Sequence, residues 1–280
     1  MRLTLTGKRI SKNRKERIAQ MKAIILAAGV GSRIRPMTDN CPKTLLEIGG
    51  VTILERMLSN IQTCGINEVV IVLGYLHDQI EDFVRDSFTD LDVHFVVNTR
   101  YTETNTGFSL MLAEGLVKGS PFVKFDADVV FDKEILERLL ASNDQNCLCV
   151  DKNIQLDAEE IKVVVRDGNR IVKASKTVPA CDAIGESIGI EKVCVETADV
   201  LFSELRTMMA HDHNLQEYYE GAYERLFEKD VSFHALDITG LKWIEIDTRQ
   251  DFDTAENIFV LTEPTLHIDA PFSMAQEGGR

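Results

Sequence analysis

Hydrophobic and polar residues follow two different periods along the first half of the chain. Short apolar runs bounded by turn-forming residues are typical of buried strands, whereas apolar residues three and four positions apart predict amphipathic helices. The predicted strands lie at 22–26, 68–73, 92–97 and 121–125. The predicted helices lie at 52–64, 77–87, 106–116 and 132–141. This alternation predicts an α/β fold with a doubly wound, mostly parallel mixed sheet.

The pattern changes in the second half of the chain. Asp167 and Gly168 separate two runs of strand-forming residues and predict a β-hairpin. Without repeats or low-complexity linkers, residues 21–262 are interpreted as one domain, preceded by an arm at 1–20 and followed by a loose tail at 263–280. Further strands are predicted at 187–193, 232–236 and 243–246, and further helices at 198–209, 216–228 and 249–259.

Charge is unevenly distributed along the 280 residues. The first twenty residues carry a net charge of +6, which leaves −20 for the rest of a chain whose total is −14. An acidic body argues against nucleic-acid binding, because a phosphodiester backbone requires a basic surface. The arm is interpreted as a solvated, disordered tail; an anchoring role and a translation start at Met21 stay open.

Composition and cysteine usage indicate a soluble cytoplasmic protein. The chain is 44% hydrophobic and 27% charged, and it contains no apolar run long enough to span a membrane. Its six cysteines show no zinc-type spacing and follow no signal peptide, which favours reduced thiols.

The segment 26–43, LAAGVGSRIRPMTDNCPK, directly follows the first predicted strand and carries the most informative pattern. Gly29 and Gly31 would let backbone N–H groups approach phosphate oxygens, and glycine tolerates the positive φ of tight loops. Arg33 and Lys43 add two cations to the same segment, and two prolines stiffen the chain between them. The segment therefore predicts a loop that binds the phosphates of a nucleoside triphosphate.

This segment resembles the AAGxGxRxxPxTxxxPK signature of the nucleotidyltransferase superfamily, which makes activated sugars and activated alcohols. The resemblance implies a Rossmann-like nucleotidyltransferase fold and an enzyme that releases pyrophosphate. It also implies that Arg33 contacts the leaving pyrophosphate and that Lys43 contacts the phosphates near the new bond. The nucleotide-binding residues implied within the loop are Ala28, Gly29, Gly31 and Ser32.

Two acidic segments follow predicted strands and are candidates for a Mg²⁺ site. Asp128 ends the sequence FDAD, and Asp247 lies in WIEIDT, both of which resemble family segments. Mg²⁺ prefers carboxylate, phosphate and water oxygens, and the resemblance implies that Asp128 and Asp247 supply the protein ligands. Asp126 would share or support the site, and Glu245 is expected to face the opposite side of its strand. The alternative is that both aspartates only cap a turn or a helix.

Longer segments resemble the phosphocholine cytidylyltransferase-like branch of the superfamily. They read IKVVVRDGNRIVKASK, IGESIGIEKV, EYYEGAYERLF and LKWIEIDT. The resemblance implies CTP as donor and a small acceptor, with the hairpin region covering the acceptor and Lys176 beside its phosphate. A solvated lysine is the alternative for Lys176, and a helix cap for Asn105. The implied base-binding residues are Tyr75, Asn105 and Ser109, and the implied acceptor-binding residues are Glu186, Tyr219 and Glu220.

The predicted reaction joins CMP to a small alcohol phosphate or phosphonate of the phosphocholine or 2-aminoethylphosphonate type. The acceptor oxygen is ionised at neutral pH, so the reaction requires neither a general base nor a covalent intermediate. Two alternatives stay open: a sugar-1-phosphate uridylyl- or thymidylyltransferase, and a catalytically silent nucleotide-binding regulatory subunit. The sequence leaves the oligomeric state open, a homodimer included.

Overall fold

The computed structural model describes residues 16–210 and 214–260. Its secondary structure alternates as the sequence predicts through the first half of the chain. The strands are β1 (Lys22–Ala27), β2 (Glu47–Ile48), β3 (Val51–Thr52), β4 (Glu68–Leu73), β5 (Asp92–Val97), β6 (Phe122–Asp126), β7 (Val129–Phe131), β8 (Cys147–Asp151), β9 (Lys162–Arg166), β10 (Arg170–Ser175), β11 (Gly185–Val193), β12 (His234–Asp237) and β13 (Trp243–Glu245). The α-helices are α1 (Ile53–Thr63), α2 (His77–Ser87), α3 (Thr106–Leu112), α4 (Glu114–Val117), α5 (Lys133–Ala141), α6 (Val195–Ala210), α7 (Glu220–Glu228) and α8 (Arg249–Phe259), of which α4 is the shortest.

Nine strands form one mixed sheet in the order β5-β4-β1-β6-β11-β8-β12-β10-β9. The first four are parallel, and helices lie between them along the chain: α1 before β4, α2 before β5, and α3 and α4 before β6. β11 then pairs antiparallel with both β6 and β8. The predicted doubly wound α/β fold is confirmed, with a parallel half from the first part of the chain and a largely antiparallel half from the second.

The two faces of the sheet bury separate apolar clusters. Alternate residues of β1 point to opposite faces, so that Ile25 packs with α1, α2 and α5 and Ile24 packs with α3, α4, α6 and α7. Both residues are fully buried. A strand covered on both faces is apolar throughout, which explains the continuous apolar run that predicted β1.

Two helices and three short strands differ from the predicted elements. The helix predicted at 106–116 is interrupted at Ala113, which lies between α3 and α4. The helix predicted from 216 begins at Glu220, because the preceding residues bind α3: the Asn105 and Gly107 N–H groups donate to Leu215 O and Glu217 O. The short strands β2, β3 and β7 were not predicted, since two or three residues show no usable periodicity.

The predicted hairpin is present between β9 and β10. Asp167 and Gly168 both have positive φ values, 47° and 90°. Arg166 pairs with Arg170, so the loop of this hairpin comprises the three residues 167–169. All six cysteines are free thiols.

The predicted arm and tail fall mostly outside the described residues, namely at 1–15 and 261–280. The described part of the arm is ordered: residues 16–19 are helical and Ile18 packs against the core. Across the described ranges, no helix combines the length and apolarity needed to cross a bilayer. The loops after β1 and β6 leave the same edge of the parallel half, where ligands bind in sheets of this kind.

Candidate active site

A cavity of about 450 Å³ opens at this edge of the sheet. Its walls are the loop after β1, the ends of β6 and β11, and the segment that enters α7. Most of the residues predicted from the sequence line it, so the fold brings together positions up to about 220 residues apart. They are Ala28, Gly29, Gly31, Ser32, Arg33, Lys43, Asn105, Ser109, Asp128, Lys176, Glu186, Tyr219, Glu220 and Asp247.

The loop after β1 is shaped by two glycines with different functions. Gly31 has φ +64°, and a Cβ there would lie 3.1 Å from Thr38 Cγ2 and 3.2 Å from Lys43 Cβ. Thr38 Oγ1 also donates to Gly31 O at 2.8 Å. Gly31 therefore lets the loop close onto the stem of Lys43, whereas a Cβ at Gly29 would meet nothing within 4 Å. The open backbone at Gly29 suits the approach of a phosphate group.

Asp128 and Asp247 are brought together by the small sheet of β7 and β13. β7 begins directly after Asp128, and it pairs antiparallel with β13, which ends just before Asp247. The Ile246 N–H donates to Asp128 O at 3.0 Å and fixes this register. The two aspartates therefore share one site, although 119 positions separate them in the sequence.

Glu245 belongs to the same carboxylate group, contrary to the expectation that it faces the opposite side. Carboxylate oxygens of Asp128, Glu245 and Asp247 all lie within 4.8 Å of one another. Residues two positions apart on a strand share a face, so Glu245 accompanies Asp247. Three convergent carboxylates are the donor set that a hard divalent cation such as Mg²⁺ requires.

The two predicted phosphate-binding cations contact these carboxylates. Lys43 Nζ lies 2.7 Å from Asp128 Oδ2 and 3.0 Å from Asp247 Oδ1. Arg33 Nη2 lies 2.6 Å from Asp247 Oδ2. Burial lowers the pKa of Lys43, but the charges of the two aspartates outweigh it and raise the pKa above its ordinary value. Lys43 is therefore a permanent cation between the two aspartates.

The pKa of Glu245 is raised above its ordinary value, although the residue is exposed to the cavity. Desolvation raises the pKa to about 9, and the charges of Asp128 and Asp247 contribute in the same direction. Lys43 and Arg33 contact the two aspartates, so opposite charges are paired at this end of the cavity.

Tyr75 is the one predicted site residue that does not line the cavity. Its hydroxyl donates to Thr38 O at 3.0 Å and to Asp39 O at 2.9 Å, and its N–H donates to Ala28 O. These bonds hold the loop after β1 from behind. Tyr101, which the sequence did not single out, lines the cavity and packs against Tyr75 with ring centroids 6.4 Å apart.

Asn105 and Ser109 line the cavity but already have protein partners. Asn105 is the N-cap of α3, since its Oδ1 accepts from the Thr106 N–H at 2.8 Å. Ser109 Oγ accepts from Asn98 Nδ2 at 3.1 Å. Asn98 is 1% exposed and also lines the cavity. A single asparagine after a strand gives no sequence signal, so Asn98 was not predicted.

Behind the cavity, Asp126 supports the site from within the sheet. Lys124 Nζ is fully buried and lies 2.9 Å from Asp126 Oδ2 and 2.9 Å from Glu191 Oε2. The Tyr219 hydroxyl donates to Asp126 Oδ2 at 2.8 Å. Burial raises the pKa of Glu191 to about 8, although the Lys124 charge opposes that shift. This buried network ties β6 and β11 to the segment that enters α7.

Gly189 makes room for the Asp126 carboxylate. It has φ +74° within an irregular stretch of β11, and a Cβ there would lie 2.3 Å from Asp126 Oδ2. We expect Gly189→Ala to lower the free energy of unfolding by about 2–4 kcal/mol, through backbone strain and overpacking. Gly119 is the matched control, because it has φ +75° with nothing within 4 Å of its Cβ position. Gly119→Ala should cost only about 1–2 kcal/mol in denaturant unfolding, and equal losses would contradict the steric argument.

Glu186, Glu220 and Tyr218 also line the cavity, and we call their part of it the acceptor side because the sequence predicts acceptor binding there. Tyr219 also borders it, but only 2% of Tyr219 is exposed, whereas 41% of the adjacent Tyr218 is exposed. Lys176 Nζ lies 3.3 Å from Glu159 Oε2, and the same carboxylate is 3.7 Å from Arg33 Nη1. Glu159, which the sequence did not single out, thus joins the two cations across the cavity.

Comparison with known proteins matches residues 23–217 to the model of the MobA-like NTP transferase domain. The chain is 28% identical to CTP:phosphoglutamine cytidylyltransferase of Campylobacter jejuni, over 83% of this chain and 98% of that protein. It is 26% identical to choline-phosphate cytidylyltransferase of Streptococcus pneumoniae, over 85% of this chain and 98% of that protein.

A solved structure shows the same fold. The inositol-1-phosphate CTP transferase from T. maritima superposes with a TM-score of 0.72. The alignment covers 86% of this chain and 96% of that chain at 22% sequence identity. The likeness extends over the whole domain described above, and so the fold is that of the nucleotidyltransferases.

Proposed function

The chain belongs to the MobA-like NTP transferase family, and from this premise we propose that the enzyme is a CTP-dependent cytidylyltransferase. It transfers CMP to a small alcohol phosphate or phosphonate and releases pyrophosphate. Two relatives that align over nearly their full length are named as cytidylyltransferases of phosphoglutamine and of choline phosphate. The observation that carries the proposal is the convergence of the glycine loop, Arg33 and Lys43 with three carboxylates in one cavity.

Positioning and charge neutralisation account for the proposed catalysis. The acceptor phosphate or phosphonate oxygen attacks the α-phosphorus of CTP in line with the bond to the leaving pyrophosphate. The attacking oxygen is already ionised at neutral pH, and the bond formed is to phosphorus while the α–β bridging P–O bond breaks. Arg33 stabilises the charge on the leaving pyrophosphate, and Lys43 stabilises the phosphates beside the new bond. Lys176 binds the acceptor phosphate.

The carboxylates of Asp128 and Asp247, with Glu245 beside them, would hold Mg²⁺. Their oxygens lie close enough together to share one ion. Bound Mg²⁺ would neutralise triphosphate charge that otherwise repels the acceptor oxygen. Arg33 and Lys43 contact the same aspartates, so the cations and the metal ligands face the same phosphates.

Base recognition is assigned to the loop after β1 and to the start of α3. Ala28 and Gly29 would offer backbone groups to the base, and Asn105 and Ser109 line the same cavity. Tyr75 acts indirectly, by holding Ala28 and the loop that follows it.

Pyrophosphate release with each of four nucleoside triphosphates tests this proposal. We expect release with CTP and Mg²⁺ in the presence of a small phosphorylated or phosphonate acceptor, and loss of release when EDTA is added. The acceptors are phosphocholine, 2-aminoethylphosphonate, phosphoethanolamine, inositol phosphate and sugar 1-phosphates. Activity with UTP or dTTP and a sugar phosphate would identify a sugar-nucleotide enzyme instead. Nucleotide binding without any turnover by correctly folded protein would identify a regulatory subunit.

A further inference from the structure

The acceptor side of the cavity contains two buried carboxylates, each with one oxygen that lacks a hydrogen-bond donor among the described residues. Glu186 and Glu220 are 6% and 9% exposed, and both line the cavity. Within the described residues, Oε2 of each has no hydrogen-bond partner. Leaving a buried acceptor unpaired costs free energy, and a bound group that donates hydrogen bonds would remove that cost.

The charges around these carboxylates are predominantly negative. The buried cation near Glu220, Lys124, is already bound by Asp126 and Glu191. Lys162, which acts on Glu186, already donates to Asp157 O and Glu160 O. Burial raises the pKa of Glu220 to about 7, and it raises the pKa of Glu186 to about 8. A cation placed beside either carboxylate would stabilise its charged form and offset the free-energy cost of burying that charge. The acceptor side therefore favours a ligand with positive charge.

Each of the two tyrosine rings on this side has a lysine over one face. Lys124 Nζ lies 3.6 Å from the ring centroid of Tyr219, and Lys176 Nζ lies 5.3 Å from that of Tyr218. Tyr101, the remaining aromatic residue among those lining the cavity, packs against Tyr75 beside the loop after β1. A quaternary ammonium has no N–H group and is recognised by an enclosure of several aromatic faces. On this side Tyr219 is buried, and the more exposed ring of Tyr218 already has a lysine near it, whereas the Oε2 atoms of Glu186 and Glu220 lack a donor in the described part of the chain.

We propose that the acceptor carries an ammonium group with at least one N–H, held by the carboxylates of Glu220 and Glu186 rather than by aromatic rings. The proposal rests on the proposed function and narrows its acceptor class from small alcohol phosphates and phosphonates in general to those that carry a primary, secondary or tertiary ammonium group. Lys176 binds the phosphate or phosphonate of the same molecule, so the acceptor spans the distance between Lys176 and the two carboxylates. Neutral polyol phosphates and quaternary ammonium compounds are poorer acceptors.

A graded series of acceptors tests this inference. The series is 2-aminoethylphosphonate, its N,N-dimethyl and N,N,N-trimethyl derivatives, and ethylphosphonate. The dimethyl compound retains one N–H and has nearly the bulk of the trimethyl compound, so it separates loss of the hydrogen bond from loss of space. We expect kcat/KM with CTP to fall by about 10–100-fold from the dimethyl to the trimethyl compound, and by a similar factor when the amine is removed.

Substitution of the two glutamates tests whether their carboxylates recognise the ammonium group of the acceptor. Glu220→Gln and Glu186→Gln should each reduce the preference for 2-aminoethylphosphonate over ethylphosphonate by about tenfold, mainly through a raised KM. Glu228→Gln is the matched control, because Glu228 is exposed on the same helix as Glu220 and does not line the cavity. Its preference should equal that of the unmodified protein.

Calorimetric binding of the same four phosphonates, with Mg²⁺ and α,β-methylene-CTP present, gives a readout without turnover. Binding in the expected order supports the inference even if no transfer occurs, in which case the proposed reaction alone has failed. Equal or tighter binding of the trimethyl compound than of the dimethyl compound would overturn the inference. A preference that survives both glutamine variants would overturn it as well.

Discussion

We expect Asp128→Asn and Asp247→Asn each to lower the rate of pyrophosphate release by about 10³-fold or more. Each substitution removes one of the carboxylates that converge on one point, and with it about 4 kcal/mol or more of metal-dependent charge stabilisation. Asparagine preserves side-chain volume, so the protein should stay folded. Steady-state turnover with CTP, together with thermal unfolding, measures both effects.

Asp253→Asn is the control for these variants. Asp253 lies on α8, is 55% exposed and pairs only with the surface residue Arg249 among the described residues. Its turnover should equal that of the unmodified protein. Retained activity in either Asp128→Asn or Asp247→Asn would remove that residue from the metal site. Loss of folding would be visible as a lowered unfolding temperature.

Lys43→Met is expected to have two opposite effects. Transfer should fall by about 10³-fold, since a cation beside the reacting phosphates is lost. Mn²⁺ binding in the absence of nucleotide should become at least about tenfold tighter, because the Lys43 ammonium lies between Asp128 and Asp247 and competes electrostatically with a metal ion there. Titration of Mn²⁺ followed by electron paramagnetic resonance measures the second effect directly.

Lys176→Met is the control that separates tighter Mn²⁺ binding in Lys43→Met from a general effect of losing one positive charge. Lys176 contacts Glu159 and the Tyr218 ring, not the aspartates, so its Mn²⁺ affinity should equal that of the unmodified protein. Unchanged Mn²⁺ affinity in Lys43→Met would show that the lysine does not compete for the metal position. If Lys43 does compete with the metal, the unmodified protein should gain Mn²⁺ affinity when CTP is added. The triphosphate would draw Lys43 away from the aspartates and would contribute its own oxygens to the metal.

Features that depend on neighbouring residues could be predicted from the sequence. The glycine loop with Arg33 and Lys43 lies within eighteen residues, and its conformation is set by Gly31 and its contact with the Lys43 stem. The parallel half of the sheet was predictable for the same reason, because each strand is followed within about 30 residues by the helix that covers it. The strand ends also placed Asp128 and Asp247 at one edge of the sheet.

Features that depend on packing between distant segments were missed or misplaced. The direction of the Glu245 side chain follows from strand alternation once the direction of Asp247 is known. The prediction was wrong because it assigned Glu245 to the opposite face. Tyr75 has a typical recognition side chain, but its hydroxyl turns to the loop behind the cavity. The exposure of Tyr218 and burial of Tyr219 could not be predicted, because the segment before α7 is held by α3 instead of continuing as a helix.

The sequence by itself determined the fold class, the glycine loop predicted to bind triphosphate and the strand-end positions of the two aspartates, since short-range periodicity and local backbone conformation control all three. Only the tertiary structure decided which charges meet. It placed Lys43 between the aspartates, placed a lysine over each of two tyrosine rings and left Glu186 and Glu220 unpaired at Oε2. The reason is that ion pairing and desolvation depend on distances of a few ångströms between segments that the chain itself separates by up to about 200 residues.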